Sequence, residues 1–385
     1  MKILVAVVDS QVGGVTTAAI NFCNELQQRG NDVFFLDMSE RYLCANALHK
    51  EIQIGKLAGK SKYWNLKVNN LKKEKGLRKC KLAFLGLVKK LTIRSGLWYR
   101  LIFKSYKEFG EYDIAIAFKQ CAPCYSFILN KVKAKKKVGF VHGALKPMGD
   151  ISSWRKYMTQ LDKVAYVSNA VQEEFVLAYP ELSANACTIY NMLDSRFIIQ
   201  QASAKCDSVF DKEKVNIVTV SRIENDHKRV DRIAWICKKL KDNGILDFAW
   251  YVVGGGPDYE KCVQQVTELG VGEVLHFIGP KENPYPYIFQ TDFTVLPSKT
   301  EAFGLVVVES LILNKPVIAC EYPALKELLD DGVTGLIAKQ EDDALYSAVY
   351  TLLTDYEMRA KLISHCLKYE YSNDKAYQQF LEAIE

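Results

Sequence analysis

Two glutamates, Glu301 and Glu309, lie on either side of a Phe303-Gly304 pair, in a spacing that can grip a polyhydroxylated ligand. The apolar run Thr291–Pro297 predicts a buried strand closed by a proline. Glu301 is therefore expected in the loop at the carboxyl end of a strand. One carboxylate in such a place can hold a sugar, and the other can hold a ribose diol.

The apolar run after Gly304 predicts a helix from Leu305 to Leu313 that carries Glu309. Asn314-Lys315-Pro316 ends it, because Asn tolerates a left-handed cap and Pro cannot continue a helix. Partial positive charge collects at a helix N-terminus, so the loop amides before Leu305 are suited to an anion such as a diphosphate.

Further candidate residues follow other predicted strands. Arg222 and Lys228 share one loop after the strand Val215–Val220, with His227 and Arg229 as neighbours. His142 follows an apolar strand and precedes Gly143, although a lone histidine beside a strand is more often a core residue.

Glycine and cysteine clusters give weaker signals. Gly13-Gly14 after the first strand lets backbone approach a phosphate or an acceptor, and Gly254-Gly255-Gly256 after a later strand serves a similar structural purpose. Cys121-Ala122-Pro123-Cys124 could indicate zinc or redox chemistry, but a second ligand pair is missing from the sequence pattern.

Strands and helices alternate twice along the chain, which is typical of doubly wound parallel sheets. The boundary is expected near 195–214, within or beside the polar segment Gln200–Lys214, and Tyr369–Glu385 is predicted to be helical. The predicted strands are Ile3–Val8, Asp32–Leu36, Ile114–Phe118, Val138–Val141 and Val164–Val167, then Val215–Val220, Ala249–Val253, Val274–Phe277, Phe293–Leu296 and Val317–Ala319.

Length and composition favour an intracellular protein of two domains. The 385 residues suit two cores, and 49% of them are hydrophobic. No apolar run approaches the roughly 18 residues that span a bilayer, and the short N-terminal apolar stretch meets Asp9 without a signal-peptide pattern. The 11 cysteines lack paired spacing, as expected of reduced thiols in a cytoplasm.

The net charge of +6 conceals a basic segment, 50–108, that holds 17 Lys and Arg against three Glu, or +14, and leaves −8 for the rest. Apolar and aromatic residues interleave with these cations, a pattern typical of interfacial membrane helices. The alternative is a solvated helix that packs its apolar side on the first domain. Nucleic acid is less expected, because no recognition motif accompanies the charge.

The chain resembles the family 4 retaining glycosyltransferases, whose donor-site signature is two glutamates with seven residues between them and Phe-Gly after the first. Other matches fall in the family's order: Met1–Val8 with Val12–Thr16, Phe140–Gly143, Tyr166–Ala170, Ile189–Asp194, Val218–Arg222, Lys228–Asp231 and Val252–Pro257. Asn314–Leu325 departs from the family's glycine pattern, which affects the expected phosphate contacts.

The resemblance implies the GT-B fold, with two facing Rossmann-like domains and a cleft between them. It assigns residues 1–195 to an acceptor-binding domain that carries the membrane-facing segment 50–108. It assigns 196–368 to nucleotide-sugar binding, and 369–385 to a helix crossing back to the first domain.

The resemblance also implies roles at the site. Glu309 would accept the ribose hydroxyls, and Glu301 would grip the donor hexose or stabilise charge at its anomeric carbon. The donor-binding set is Gly13, Gly14, Arg222, Lys228, Glu301, Phe303, Gly304, Leu305 and Glu309, and the catalytic set is Glu301, His142, Arg222 and Lys228. Arg222 and Lys228 would stabilise the departing diphosphate in place of a metal, since no Asp-x-Asp motif precedes the sugar site.

The implied reaction moves a hexose from a nucleotide sugar, with UDP favoured and GDP possible, to a glycan or lipid-linked glycan in cell-surface polysaccharide synthesis. No cofactor or metal is expected. One rival is an NAD-dependent Rossmann dehydrogenase, against which the missing G-x-G-x-x-G counts. The other is a non-catalytic relative that binds sugar nucleotides or glycans.

Overall fold

The computed structural model describes residues 1–8, 13–38, 47–57, 76–92, 97–104, 106, 108–206 and 210–385, with the backbone alone for 76–82 and 147. Val12 and parts of the basic segment (58–75, 93–96, 105 and 107) lie outside the described residues. The chain forms two compact units, one comprising Met1–Leu193 with Asn373–Glu385 and the other Asp194–Ser372.

The described part of the first unit is built on a sheet whose strands are β1 Lys2–Val7, β2 Asp32–Asp37, β3 Gln53–Lys56, β4 Phe109–Ala117, β5 Val132–Val141, β6 Lys163–Tyr166 and β7 Ala186–Thr188. Their order is β3-β2-β1-β4-β5-β6-β7, and each neighbouring pair is parallel. Its helices are Gly14–Gln28, Gly76–Thr92, Leu97–Phe103, Ala122–Lys131, Leu145–Met148, Ser152–Met158, Asn169–Ala178 and Asp374–Ile384, with a 3-10 helix at Pro180–Asn185.

The second unit has the strands β8 Val215–Val220, β9 Phe248–Val253, β10 Leu275–Gly279, β11 Phe293–Leu296, β12 Val317–Cys320 and β13 Gly335–Ala338. They form a parallel sheet in the order β10-β9-β8-β11-β12-β13. Its helices are Ser195–Ala202, Asn225–Lys228, Asp231–Asp242, Tyr259–Glu268, Tyr285–Gln290, Leu305–Ile312, Asp342–Thr354 and Tyr356–Cys366, with a 3-10 helix at Pro323–Glu327.

Both sheets are covered on their two faces, which explains the continuous apolar runs of the central strands. All six residues of β9 are buried, and the Trp250 indole donates a hydrogen bond of 3.0 Å to the Thr219 hydroxyl of β8. In the first unit the Phe22, Phe118 and Phe140 rings pack together, with centroids 4.7–5.3 Å apart. The two predicted doubly wound parallel sheets are therefore confirmed.

Three short strands were not predicted: β3, β7 and β13. Each lies at an edge of its sheet and has only three or four residues, so it lacks the long apolar run of a central strand. The amino-terminal half of β5 was also missed, because the lysines among residues 133–137 mask the strand pattern.

The C-terminal helix begins at Asp374, later than the predicted Tyr369. Asn373 precedes it and is held by backbone, since its side chain accepts from Leu193 N–H at 3.0 Å and donates to the Leu193 carbonyl at 2.9 Å. The helix packs on the first unit through Phe380, whose ring centroid lies 5.6 Å from that of Phe22.

None of the helices in the described ranges has both the length and the apolar character needed to cross a bilayer.

Candidate active site

The order of the second sheet reverses between β8 and β11, the point at which open parallel sheets bind their ligands. The crevice at such a point lies outside the carboxyl ends of the strands. The segment after β8 carries Arg222 in its loop and Lys228 at the end of the short Asn225–Lys228 helix, so the two cations do not share one loop as predicted, and the loop after β11 carries Glu301. Strand order thus brings together residues that are more than seventy positions apart in sequence.

Lys228 and Glu301 form an ion pair at this edge, with the Lys228 Nζ atom 2.5 Å from Glu301 Oε1. Their side chains are 26% and 15% exposed, so the pair is screened less than one in open solvent. Ser298 donates a second hydrogen bond to Glu301 Oε1 at 2.8 Å. Lys299 N–H donates to the His227 carbonyl at 2.7 Å and so fastens the two loops together.

Arg222 leaves the same loop with an exposed side chain, and within the described ranges no group pairs with its guanidinium. Its loop packs tightly on the glycines after β9. A Cβ at Gly254 would lie 1.8 Å from the Ser221 carbonyl oxygen, and one at Gly256 would lie 2.2 Å from that of Ile223. The glycine cluster therefore permits close packing of backbone beside the cation.

Gly304 forms the turn from the Glu301 loop into the Leu305–Ile312 helix. Its φ of 103° lies in the left-handed region, and an added Cβ would lie 2.2 Å from the Tyr322 hydroxyl. That hydroxyl donates to the Phe303 carbonyl at 3.1 Å. The turn is thus fixed at the point where the first amides of the helix become available to an anion.

The helix ends as the sequence predicts, because Asn314 takes a left-handed φ of 60°. Glu309 is buried on this helix and accepts a hydrogen bond from the Tyr285 hydroxyl at 3.3 Å. Burial raises the pKa of Glu309 to about 7, and the hydrogen bond from Tyr285 opposes that rise. Among the described residues Tyr285 is the one hydrogen-bond donor to Glu309, so the carboxylate can accept further hydroxyl groups.

His142 follows β5 in the first unit, where its ring lies against two phenylalanines. The centroid distances are 4.5 Å to Phe118 and 5.5 Å to Phe140. Burial lowers the pKa of His142 to about 3, and a hydrogen bond with the Phe118 backbone opposes the shift. The ring is neutral at physiological pH, and its buried Nε2 has no hydrogen-bond partner among the described residues.

Gly13 and Gly14 stand at the start of the Gly14–Gln28 helix in the first unit. Gly13 has a φ of 171°, which is extended backbone open to any residue. In the same unit Cys124 is buried and donates to the Ala6 carbonyl at 3.3 Å, while Cys121 is partly exposed. Among the described residues no group of three or more His, Cys, Asp or Glu side chains is arranged to hold a metal ion.

Sequence reasoning missed several residues that shape this edge of the second sheet: Ser298, Tyr285, Tyr322, Arg232 and Gln340. Ser298 belongs to the motif itself, and its hydroxyl three residues before Glu301 was an available signal. The other four residues lie near the site only because of the fold, and nothing in their sequence positions indicates that they do.

Residues 201–367 match the family described as glycosyl transferases group 1. The second unit therefore contains a group 1 glycosyltransferase domain. A protein of Klebsiella pneumoniae, described as an uncharacterized 41.2 kDa protein in the cps region, is 26% identical over 230 residues, which cover 57% of this chain and 56% of that protein. The N-acetyl-alpha-D-glucosaminyl L-malate synthase of Bacillus anthracis is 24% identical over 226 residues, with the same coverage of 57% and 56%.

The chain spans about half the length of these curated relatives. A crystal structure of Anabaena HepE in complex with UDP and glucose covers 100% of this chain and 99% of its own, with a TM-score of 0.73 at 18% identity. The predicted GT-B fold is confirmed by this likeness. The dehydrogenase alternative receives no support from these matches.

Proposed function

We propose that the protein is a metal-independent retaining glycosyltransferase that transfers a hexose from a nucleotide sugar to a glycan or a lipid-linked glycan. The observation that carries the proposal is the Lys228–Glu301 ion pair of 2.5 Å at the switch point of a group 1 domain. It places a cation for a diphosphate beside a carboxylate for a sugar. The hydrogen bond between Lys299 N–H and the His227 carbonyl joins the two segments, and the helix that carries Glu309 completes a site suited to a diphosphate and a sugar.

The proposed reaction breaks the anomeric C–O bond while negative charge builds on the departing diphosphate. Arg222, Lys228 and the first amides of the Leu305–Ile312 helix are the positive groups available to that charge. Glu309 would accept the ribose hydroxyls, and Glu301 would hold the hexose. Attack from the face that the leaving group vacates would retain configuration, with the leaving phosphate taking the acceptor proton.

The role proposed for Lys228 requires its ion pair to be shared or opened when donor binds. With Glu301 held also by Ser298, the carboxylate keeps one hydrogen bond at 2.8 Å after Lys228 turns toward phosphate. Phe303, Gly304 and Leu305 would supply the backbone that meets the donor. Gly13, Gly14 and the unpartnered Nε2 of His142 are proposed to face the sugar or the acceptor.

The donor is proposed to be a UDP-sugar, with a GDP-sugar as the alternative. The HepE complex with UDP and glucose supports this choice by analogy of fold. If Arg222 and Lys228 take the place of a metal ion, turnover should be unchanged when EDTA replaces added divalent ions.

The acceptor is proposed to be presented at an anionic membrane surface of the cytoplasmic leaflet, in cell-surface polysaccharide synthesis. In the described part of the basic segment, Phe84, Leu87 and Leu91 lie on one face of the Gly76–Thr92 helix and are 66%, 55% and 73% exposed. Lys90, Arg100 and Lys104 are exposed nearby in sequence. Exposed apolar side chains among cations favour the headgroup boundary of an anionic bilayer.

Vesicle sedimentation tests the membrane contact. Replacing Phe84, Leu87 and Leu91 together by Ser, or Lys89 and Lys90 by Glu, should release the protein from vesicles rich in phosphatidylglycerol. Leu177→Ser is the matched control, because Leu177 is 85% exposed in the same unit outside the basic segment. Equal binding by all variants would refute the contact and leave the transferase proposal intact.

A thermal-shift panel with UDP, GDP, ADP, NAD and common nucleotide sugars, run in EDTA, tests the donor site, and release of nucleoside diphosphate tests turnover. Stabilisation by one nucleoside diphosphate together with its turnover would support the proposal. Stabilisation by NAD alone would contradict it. Binding without turnover on any acceptor would favour a non-catalytic relative.

A further inference from the structure

Arg232 is a cation buried beneath the Glu301 loop, with a side chain only 3% exposed. It stands at the start of the Asp231–Asp242 helix. Its Nη1 donates to the Pro297 carbonyl at 3.4 Å and lies 3.1 Å from the Cys320 sulfur, while its Nη2 donates to the Gln340 carbonyl. Arg232 thus contacts the segment after β11, the last residue of β12 and the segment after β13.

Charge compensation for Arg232 comes from Asp342, whose Oδ1 lies 2.6 Å from Arg232 Nε. Asp342 begins the Asp342–Thr354 helix directly after β13. The Arg232 side chain is 3% exposed and that of Asp342 is 43% exposed, so the aspartate keeps part of its water while the guanidinium depends on partners in the protein. With its Nε beside Asp342, the guanidinium faces the Pro297 and Gln340 backbone carbonyls with its two Nη atoms.

Gln340 reaches the same loop from the other side. Its amide nitrogen lies 3.3 Å from the Ser298 carbonyl, 3.4 Å from the Lys299 carbonyl and 2.7 Å from the Glu321 carbonyl. Because the backbone carbonyl of Gln340 also accepts a hydrogen bond from Arg232, the two residues form one connected support. With one Gln340 amide hydrogen on the Glu321 carbonyl, the other is shared between the Ser298 and Lys299 carbonyls, while Arg232 holds the Pro297 carbonyl.

The supported backbone carries the groups that fix Glu301. Ser298 donates to Glu301 Oε1 at 2.8 Å, and Lys299 N–H donates to the His227 carbonyl beside Lys228. A shift of Pro297–Lys299 would move both the Ser298 hydroxyl and the loop that presents Lys228. The ion pair between Lys228 and Glu301 depends on both.

We propose that Arg232 and Gln340 are positioning residues that set the Glu301 carboxylate for the donor sugar through Ser298. This inference rests on the proposed function of the site. It assigns the pair to the hexose end of the donor, since their contacts lead to Glu301 and none of them reaches Glu309 among the described residues. Nucleoside diphosphate binding is expected to depend on them less.

The test compares UDP with UDP-glucose, and GDP with GDP-mannose, by calorimetry and by donor turnover in Arg232→Met and Gln340→Leu. We expect diphosphate affinity within about threefold of wild type and kcat lower by about 10- to 100-fold, the loss that a misplaced reacting group causes. Lys239→Met is the matched control. Lys239 joins the same two helices through Asp343 at 2.5 Å but lies on the exposed side, and its kcat should be unchanged.

A double-mutant cycle with Ser298→Ala shows whether the support acts through that hydroxyl. If it does, Gln340→Leu combined with Ser298→Ala is no slower than the slower single variant. If Arg232→Met fails to fold, the cycle of Gln340→Leu with Ser298→Ala tests the inference without it. Additive losses, or equal losses of diphosphate and sugar-nucleotide affinity, would overturn the inference but keep the transferase. A wild type that binds no nucleotide would overturn both.

Discussion

The carboxyl edges of the two sheets differ in how they treat charge. At the edge of the second sheet, Lys228, Glu301 and Arg222 stand on adjoining loops, and the first two are paired. At the edge of the first sheet, His142 lies against Phe118 and Phe140 with a neutral ring. His142 therefore offers an uncharged group after β5, whereas Lys228 and Glu301 offer charges at the corresponding edge of the second sheet.

The difference indicates which ligand each edge can take. Cations and helix amides suit a diphosphate, whose charge must be matched as it grows. A neutral imidazole beside aromatic rings suits an uncharged hydroxyl, for which hydrogen bonding and shape matter more than charge. The comparison predicts that substitutions at the second edge affect catalysis most and that His142 acts without titrating near neutrality.

Lys228→Met should break the charged edge and give the largest effect. Removing a preorganised group that stabilises a developing charge costs about 10²- to 10³-fold in kcat. Release of nucleoside diphosphate from donor and acceptor measures the loss. Lys238→Met, on an exposed face of a neighbouring helix, serves as the control. A loss under about tenfold would show that Lys228 does not contact the leaving group.

Gly304→Ala should distort the charged edge without removing a charge. The strained φ of 103° and the contact with Tyr322 together predict destabilisation by about 2–3 kcal/mol. Gly270→Ala isolates the backbone term, because Gly270 has a φ of 62° and no atom lies within 4 Å of the point that its new Cβ would occupy. Equal losses of stability in the two variants, measured by chemical unfolding, would argue against the contact with Tyr322.

His142→Gln should remove the part of the pH dependence of stability that the neutral His142 ring causes. The folded pKa of about 3 lies below the ordinary 6.5, so the unfolded chain takes up a proton first as pH falls below 6.5, and stability is lost. Relative to His142→Gln, the wild type should lose about 1.4 kcal/mol between pH 7.5 and pH 5.5. Unfolding followed by hydrogen exchange in β5 measures this, and parallel pH curves would show an exposed, ordinary histidine.

Glu309 should give the smallest effect, again through pH. With a pKa raised to about 7, its carboxylate is mostly protonated at pH 6, so UDP affinity should be several-fold to about tenfold weaker at pH 6 than at pH 8. Glu309→Gln should remove that dependence, which separates it from titration of the phosphate. Glu309→Ala should weaken UDP binding more than Lys50→Glu, and equal affinity in Glu309→Ala and wild type would remove the ribose role.

Much of the fold and part of the site could be predicted from the amino-acid sequence. Continuous apolar runs marked the central strands, because a strand covered on both faces must be apolar throughout. Gly304 and Asn314 marked the ends of the Glu309 helix, since both positions take a left-handed backbone. Edge strands such as β3 and β13 were missed, because few residues and partial exposure leave little pattern to detect.

The chemical groups of the site follow from the amino-acid sequence alone: two glutamates, two cations and a helix N-terminus. The partners of these groups depend on the tertiary structure. It pairs Lys228 with Glu301, hydrogen-bonds Tyr285 to Glu309 and buries Arg232 beneath the Pro297 carbonyl. These contacts form because strand order in a parallel sheet joins distant loops at one edge. Local propensity governs a helix or a turn, but the partner of a charged side chain depends on which strands become neighbours.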